Sequence, residues 1–257
     1  MSFALVTGAS KGIGKSIALE LASRKTDLLL VARNEELLRS LSEKIRNEYG
    51  VNCHYLSLDL SAPHAPQQVY NWCRSNGYDV NILVNNAGYG LSGAFDKYSL
   101  EDHLNMMQLN MNVVVEMTYH FLPDLKKHPR AYILNIASSA AYQAVPFLSA
   151  YAASKSFVLQ FSRGLHLELK GTTVSVTCVS PGATDTSFVD RANIGAKGLE
   201  LAGKFNMKPA EVAKIAVNAM FKGKTEVITG FLNKVGAALA WLLPKKTIEK
   251  ASAKIYQ

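Results

Sequence analysis

Tyr151 and Lys155 have the types and spacing that suit proton transfer. They bound the segment Tyr151-Ala-Ala-Ser-Lys155 at the start of a predicted helix. Residues four apart on a helix share a face, so both side chains can reach one small-molecule site. A phenol ordinarily titrates near about 10, and a neighbouring ammonium stabilises its phenolate. Such a pair can hand a proton to a carbonyl oxygen while hydride reaches the carbon. Ser138, at the carboxyl end of the preceding predicted strand, can hydrogen-bond the same oxygen. The spacing alone is common, and an exposed tyrosine and lysine on an amphipathic helix would look the same.

A second group suits phosphate. Thr7-Gly-Ala-Ser-Lys-Gly-Ile-Gly14 follows the apolar run Phe3–Val6 and opens into a helical pattern with Ile17, Ala18 and Leu21 on one face. Strand, glycine turn and helix in that order aim free N–H groups and the positive end of a helix dipole at an anion. Gly8 permits a sharp turn, and Gly12 and Gly14 permit close approach of backbone. The spacing is G-x-x-x-G-x-G rather than the usual dinucleotide fingerprint. The same residues also spell Gly8-Ala-Ser10-Lys-Gly12, a G-x-S-x-G pattern that would make Ser10 a hydrolase nucleophile. Arg33 ends the second predicted strand, where an acidic residue would bind the ribose hydroxyls of NAD. With Lys11 it offers two cations for a 2′-phosphate. A surface pairing of Arg33 with Glu35 or Glu36 is the other reading.

The elements that must position these residues alternate. Strands are predicted at 3–6, 27–32, 51–58, 82–88 (running into a turn), 132–136, 174–179 and 226–229. Between them lie helices near 15–22, from the Asn34 cap to about Gly50, 67–75, one long helix capped by Ser99 or Asp102 and ended by Pro123, then 151–169 and 209–221. Near-continuous apolar strands between helices indicate a parallel sheet covered on both faces. In such sheets ligands sit beyond the carboxyl ends of the strands. Ser10, Arg33, Asp59, Asn85, Ser138 and Thr184 fall at those ends. The pattern loosens from Ala183 to Met207, which reads as a segment over the site or as an ordinary connection.

The chain has 257 residues, 48% of them hydrophobic, enough for one large α/β domain rather than a disordered chain. The formal net charge of +8 fits a lysine-rich surface, an anionic cofactor, an acidic partner or a membrane surface. Zinc-finger spacing and RNA-binding motifs are missing from the sequence, so nucleic acid is not an expected partner. Cys53, Cys73 and Cys178 are odd in number and widely spaced, and the histidines lack metal spacing. No metal is expected, and the cysteines suit a reducing, cytoplasmic compartment. A strand beginning within three residues of the start leaves no room for a signal peptide.

In order, these signals resemble the short-chain dehydrogenase/reductase family, over residues 3 to about 230. They are Thr7 to Gly14, Asp59, Asn85-Asn-Ala-Gly88, Asn110, Ser138, Tyr151 with Lys155, and Pro181-Gly182 with Thr186. The resemblance implies a Rossmann-like, doubly wound, parallel seven-stranded sheet with helices on both faces. It implies a carbonyl or alcohol substrate and a catalytic set of Asn110, Ser138, Tyr151 and Lys155. Tyr151 would be the general acid, Lys155 would bind the nicotinamide ribose, Ser138 would orient the carbonyl and Asn110 would hold a relay water. The cofactor would lie along Gly8, Ser10, Lys11, Gly12, Ile13, Gly14, Arg33, Asp59, Leu60, Asn86, Ala87, Gly88, Tyr151, Lys155, Pro181, Gly182, Thr184 and Thr186, with Asp59 at the adenine. Lys11 and Arg33 resemble the NADP(H)-preferring members. The implied assembly is a homodimer or homotetramer through the helices holding Asn110 and Tyr151, where Met111, Val113, Val114, Val115 and Met117 would suit an interface or the core. The resemblance leaves the hydrolase reading weak and keeps a non-catalytic NADP(H) sensor as the alternative.

Residues 1–230 are read as one cofactor-binding and catalytic domain, and 231–257 as an apolar, basic extension packed on it. Phe231 to Leu243 is strongly apolar and too short to span a bilayer as a helix. Lys245, Lys246, Lys250 and Lys254 follow. The tail either covers the substrate mouth or an interface, or rests on an anionic membrane. It resembles the tails of family members that act on lipid-like or 3-oxoacyl ketones.

Overall fold

Alternate residues of the first strand, β1 (Phe3–Thr7), serve opposite faces: Phe3 and Leu5 join one core, Ala4 and Val6 the other. The computed structural model describes residues 2–184 and 206–256. The further strands are β2 (Asp27–Ala32), β3 (Cys53–Ser57), β4 (Val80–Asn85), β5 (Ala131–Ile136), β6 (Val174–Ser180) and β7 (Glu226–Ile228). They form one parallel sheet in the order β3-β2-β1-β4-β5-β6-β7. The central strands β1, β4, β5 and β6 are almost wholly buried, whereas the edge strands β3 and β7 are only partly so. That is why the inner strands read as apolar runs and the outer ones do not.

The helices are α1 (Gly12–Ser23), α2 (Glu35–Tyr49), α3 (Ala65–Ser75), α4 (Leu100–Met107), α5 (Val113–Leu125), α6 (Ser149–Glu168), α7 (Pro209–Phe221), α8 (Phe231–Leu242) and α9 (Lys245–Tyr256). Ile17, Leu21, Leu38, Ile45, Val217 and Met220 of α1, α2 and α7 cover one face of the sheet. Val69, Met106, Met117, Phe121 and Leu165 of α3, α4, α5 and α6 cover the other. From β1 the chain winds outward to β3, then returns to β4 on the opposite side. The crevice at the carboxyl ends of β1 and β4 is the topological switch point, where open α/β sheets take ligands.

Several element boundaries differ from the sequence expectation by a few residues, and three of the differences have a local physical cause. β3 starts at Cys53 rather than Val51, because the Asn52 N–H donates to the Asp27 carboxylate at 2.8 Å and leaves the ladder to Cys53 and Leu28. The long helix predicted across Met106 to Phe121 is α4 and α5 joined by a π-helical turn, Gln108–Asn112. Its start is a capping box, in which Ser99 Oγ accepts from Asp102 N–H while the Asp102 carboxylate accepts from Ser99 N–H. Pro123 lies inside α5 rather than ending it. It falls in the last turn, and the residues after it are anchored. Leu125 is fully buried, and Asp124 accepts from the Tyr70 hydroxyl at 2.9 Å and Lys127 Nζ at 2.6 Å. Val113, Val114 and Met117 pack in the core, while Val115 and Tyr119 stay exposed.

The glycine turn is packed to its limit. A methyl group on Gly14 would run into the Gly8 carbonyl oxygen and the Asn86 side-chain amide. Gly14→Ala is expected to destabilise the fold by about 1–3 kcal/mol through overpacking. Urea unfolding checks this, and an unchanged midpoint would contradict so close an approach of α1 to the turn.

Candidate active site

The turn after β1 is held by β4. Thr7 Oγ1 donates to the Val84 carbonyl at 3.1 Å and accepts from the N–H groups of Asn86 and Ala87 at 2.9 and 3.1 Å. Asn86 Nδ2 donates back to the carbonyls of Thr7 and Gly8 at 2.9 and 3.2 Å. The two strand ends are thereby locked together. Gly8 and Gly12 take φ of 64° and 57°, the left-handed region that favours glycine. α1 starts with no side-chain cap and no acidic residue in its first turn, and Lys11 stands exposed before it. By contrast, α2 is capped by Asn34, whose side chain accepts from Leu37 N–H at 2.9 Å, and carries Glu35 and Glu36. The start of α1 therefore presents N–H groups and positive potential that the chain itself does not neutralise, as an anion site requires.

Arg33 lies beyond β2 and pairs with Asp59, Nη1 to Oδ2 3.6 Å, rather than with Glu35 or Glu36. Partial burial pushes the Asp59 carboxyl up, but hydrogen bonds from Ser61 N–H and Oγ and the Arg33 charge outweigh it and hold the group below its usual range. Leu60 is buried in the core, so only its main chain is left for a ligand. Ile13, in the first turn of α1, is half-buried against the core.

The proton-transfer pair is buried. Tyr151 and Lys155, 7% and 5% exposed, project from the first turns of α6, with Lys155 Nζ 5.9 Å from the centre of the Tyr151 ring. Lys155 Nζ donates to the Ile136 carbonyl, the last of β5, at 2.9 Å. Burial pushes the ammonium down to about 8, with Cys178 acting weakly the other way. Cys178 is itself pushed up to about 12 by burial, which keeps it a neutral thiol. Asn110 sits fully buried in the π-helical turn. Its side chain clasps the Tyr89 main chain, accepting from N–H at 3.1 Å and donating to the carbonyl at 2.9 Å, and it also donates to Ser154 Oγ at 3.0 Å. Ser154 donates in turn to the Tyr151 carbonyl at 2.7 Å. A Cβ on Gly88 would stand 2.8 Å from Asn110 Oδ1 and 3.3 Å from Lys155 Nζ, so three elements converge here.

Ser138 follows β5 and caps a short 3-10 turn, Ser139–Tyr142, its Oγ accepting from Ala140 N–H at 3.1 Å. That turn is fixed by Tyr142, whose hydroxyl donates to the Glu226 carboxylate at 2.5 Å and lies 3.1 Å from Ser180 Oγ. Burial and the Glu226 charge push the Tyr142 phenol up, so it stays protonated. Pro181 accepts at its carbonyl from Ser139 N–H at 2.7 Å. Gly182 is covered by the Asn233 side chain of α8, and Thr184 Oγ1 donates to the Gly182 carbonyl at 3.0 Å. Thr186 and most of the stretch between Ala183 and Met207 lie outside the described residues.

The structure thus brings most of the expected residues to the ends of β1, β4, β5 and β6. Asn85 is the exception among the strand-end polar residues. It is buried and donates to Asn135 Oδ1 at 2.9 Å, bracing β4 against β5 behind the site. Strand alternation carries the signal: Asn85 is one residue short of the turn, so its side chain enters the core layer. Thr7, Tyr89, Ser154, Tyr142 and Asn233 hold the site and were not singled out. Thr7 and Ser154 were visible inside the glycine and Tyr-x-x-x-Lys segments, whereas nothing near Tyr142 or Asn233 marks a contact 38 to 109 residues away, as between Tyr142 and Ser180 or Gln143 and Ser252. His166 Nδ1 is bound at 2.9 Å by the Val176 carbonyl inside β6, which accounts for the last histidine without Ser10.

The buried ammonium has a pH signature. Between about 8 in the folded chain and 10.5 in the unfolded one, the unfolded chain keeps a proton that the folded chain has released. Stability from this group therefore rises with pH across that window. Wild type is expected to gain on a Lys155→Met variant by up to about 3 kcal/mol from the lower to the upper end of it. Urea unfolding of both proteins at each end reads the difference, and a constant difference would contradict a depressed lysine.

Residues 2–196 match the family model described as short chain dehydrogenase. A very-long-chain 3-oxoacyl-CoA reductase of Anas platyrhynchos is 35% identical over 188 residues, 70% of this chain and 59% of that protein. The chain thus spans about three-fifths of that relative's length. A very-long-chain 3-oxoacyl-CoA reductase-B of Danio rerio is 30% identical over 255 residues, 96% of this chain and 78% of that protein. A solved short-chain dehydrogenase from Sphingobium yanoikuyae, in complex with NADPH, superposes with a TM-score of 0.82 at 30% identity, covering 94% of this chain and 95% of that one. With its sheet order, its glycine turn and Tyr151 beside Lys155, the chain belongs to the short-chain dehydrogenase family.

Proposed function

We propose that this protein is an NADP(H)-dependent reductase of a ketone, the reverse oxidation of the secondary alcohol being the same chemistry run backward. The carrying observation is the buried pair on α6: Tyr151 and Lys155 share one environment at the end of β5, beside a switch-point turn whose helix start is left open to an anion. The residues fit the cofactor. Gly8, Gly14 and Gly88 keep the floor of the crevice free of side chains that would collide with their neighbours, and Lys11 and Arg33 stand where a 2′-phosphate needs cations.

When bound in this crevice, a nicotinamide cofactor would supply the hydride for the carbonyl carbon. Ser138 and Tyr151 hold the carbonyl oxygen, and the Tyr151 hydroxyl gives it a proton as negative charge develops there. The Lys155 ammonium stabilises the phenolate left behind and binds the nicotinamide ribose. Asn110 fixes Tyr89 and Ser154, and through them the start of α6, and would hold a relay water as the family resemblance implies. Asp59 and the Leu60 main chain would hold the adenine, and Pro181, Gly182 and Thr184, with Thr186 as the family resemblance implies, would hold the carboxamide. The substrate we assign is a lipid-like or 3-oxoacyl ketone, supported by the similarity to 3-oxoacyl-CoA reductases and by the basic balance of the chain, which suits an anionic carrier. Two or four copies would assemble through α4, α5 and α6, where Leu104, Val115, Tyr119 and Phe157 are exposed.

Paired fluorescence titrations with NADPH and NADH test the cofactor, and tighter NADPH binding is expected. Arg33→Asp should shift the preference toward NADH by about tenfold or more, since the fork of donors is lost and an acid repels phosphate. An unchanged preference would reject Arg33 as the phosphate ligand. Tyr151→Phe should cut turnover at least about a hundredfold yet leave NADPH affinity nearly intact, as loss of a general acid does. Full turnover in that variant would reject the mechanism.

A further inference from the structure

Helix α8 carries small or polar residues inward and large apolar ones outward. Asn233, Ala237 and Ala240, at i, i+4 and i+7, are its half-buried positions. Asn233 Nδ2 donates to the Thr229 carbonyl at 2.8 Å and its side chain rests on Gly182. The chain after α8 is fastened as well, since Gln143 Nε2 donates to the buried Ser252 Oγ of α9 at 2.7 Å. On the opposite side Phe231, Leu232, Val235, Leu239 and Leu242 are 78, 54, 38, 42 and 67% exposed, and Trp241 on the flank is 86% exposed. At about 100° per residue the five outward residues fill one arc of roughly 100° facing away from the domain. An exposed apolar stripe of this kind on a helix already anchored by its other face calls for an outside partner.

Charge selects that partner. From Val227 to the end of the chain there are five lysines and one acidic residue, Glu249. Lys234, Lys245, Lys246 and Lys250 are all exposed around the stripe. A two-fold contact with a second copy would bring these lysines together with little acid to balance them. A bilayer containing anionic lipid supplies both the apolar phase and the counter-charge. Helix α8 has 12 residues, about 18 Å, and no described helix is long and apolar enough to cross a membrane.

We propose that α8 lies in the plane of an anionic lipid surface, with Phe231, Leu232, Val235, Leu239 and Leu242 below the head groups, Trp241 at their level and the lysines on lipid phosphates. The two expectations for the tail are then compatible, because its inner face covers the domain while its outer face meets lipid. Since α8 sits directly on Gly182, docking brings the carboxyl ends of β5 and β6 within about one helix diameter, roughly 10 Å, of the lipid surface. The proposal stands on the exposed stripe and its lysines, and its test needs neither cofactor nor substrate.

Flotation of the full chain with vesicles decides it. Binding is expected to vesicles of phosphatidylcholine with about one quarter phosphatidylglycerol, weakening as salt rises, and at least about tenfold less to phosphatidylcholine alone. Leu239→Glu should abolish it. Lys245→Glu with Lys246→Glu should reduce it about tenfold or more while leaving the stripe intact. All these positions are exposed, so the thermal midpoints of the variants should match wild type. Absence of binding to the anionic vesicles would overturn the proposal, as would equal binding to both compositions that ignores the lysine reversals. A dimer in light scattering that Leu239→Glu converts to monomer would also overturn it, assigning the stripe to a second copy.

Discussion

A cation held out of water is the constraint around which the site is built. Lys155 is buried, and an ammonium moved into such a place loses hydration that only good partners replace. Its partner is the Ile136 carbonyl, the last of β5. That carbonyl is rigid because the β5–β6 pairing continues past the strand ends, with Ala137 N–H donating to Val179 at 2.8 Å and Ser139 N–H to Pro181 at 2.7 Å. Even so the balance is incomplete, and the lysine gives up its proton near pH 8. A fold optimised only for stability would place an apolar residue there. On the proposed mechanism the lysine is kept because a positive charge beside a phenol makes the proton mobile, a local loss of the kind that active sites tolerate.

Around that cation, polar groups are braced in two layers behind the reactive face. Asn85, Asn135 and Ser162 form one chain across β4, β5 and α6, with bonds of 2.9 Å. Asn110, Tyr89 and Ser154 form the other, across the π-helical turn, the turn after β4, and α6. The π turn has a mechanical purpose here. It breaks the regular hydrogen-bond ladder between α4 and α5 and sets Asn110, fully buried, where it reaches two other elements. Networks in which each member is bonded to the next rigidify a site without a large apolar core behind it.

The sheet was legible because its signal is local and repeated. Each inner strand is an apolar run closed by a polar residue, and alternation with helices leaves few arrangements. The glycine turn and the Tyr151–Lys155 pair were legible for the same reason, being contiguous. What stayed hidden depends on distance in the chain. Asn85 looked like a site residue because it ends a strand, and only pairing with Asn135 shows that it braces the core. Pro123 looked like a helix end, since nothing local says that Tyr70 and Lys127 hold Asp124 just beyond it. The docking of α8 depends on Asn233 meeting Gly182, a contact that composition cannot reveal, though the apolar excess it leaves outward was plain from the residues themselves.

The cofactor end and the substrate end are built to different rules. At the cofactor end the backbone is clamped by Thr7 and Asn86, and the cations are kept available. Arg33 and Asp59 form an ion pair 3.6 Å long with both side chains about half exposed. Such pairs contribute roughly 0–1 kcal/mol. Arg33 can therefore leave Asp59 for a phosphate group at little cost, and a dianion that accepts two parallel hydrogen bonds is a stronger partner than one exposed carboxylate. Asp59 loses little in return, because Ser61 N–H and Oγ already hold one of its oxygens. The weak pair would keep the guanidinium available for the proposed phosphate contact without committing it. On the proposed substrate side, by contrast, the turn after Ser138 and helix α8 would form the walls, and both are secured by contacts distant in sequence, Tyr142 to Ser180 and Glu226, and Asn233 to Gly182. Walls hung on such contacts can change shape through a few substitutions while the clamped turn and the buried lysine stay as they are. The proposed mechanism could in this way be fitted to different ketones.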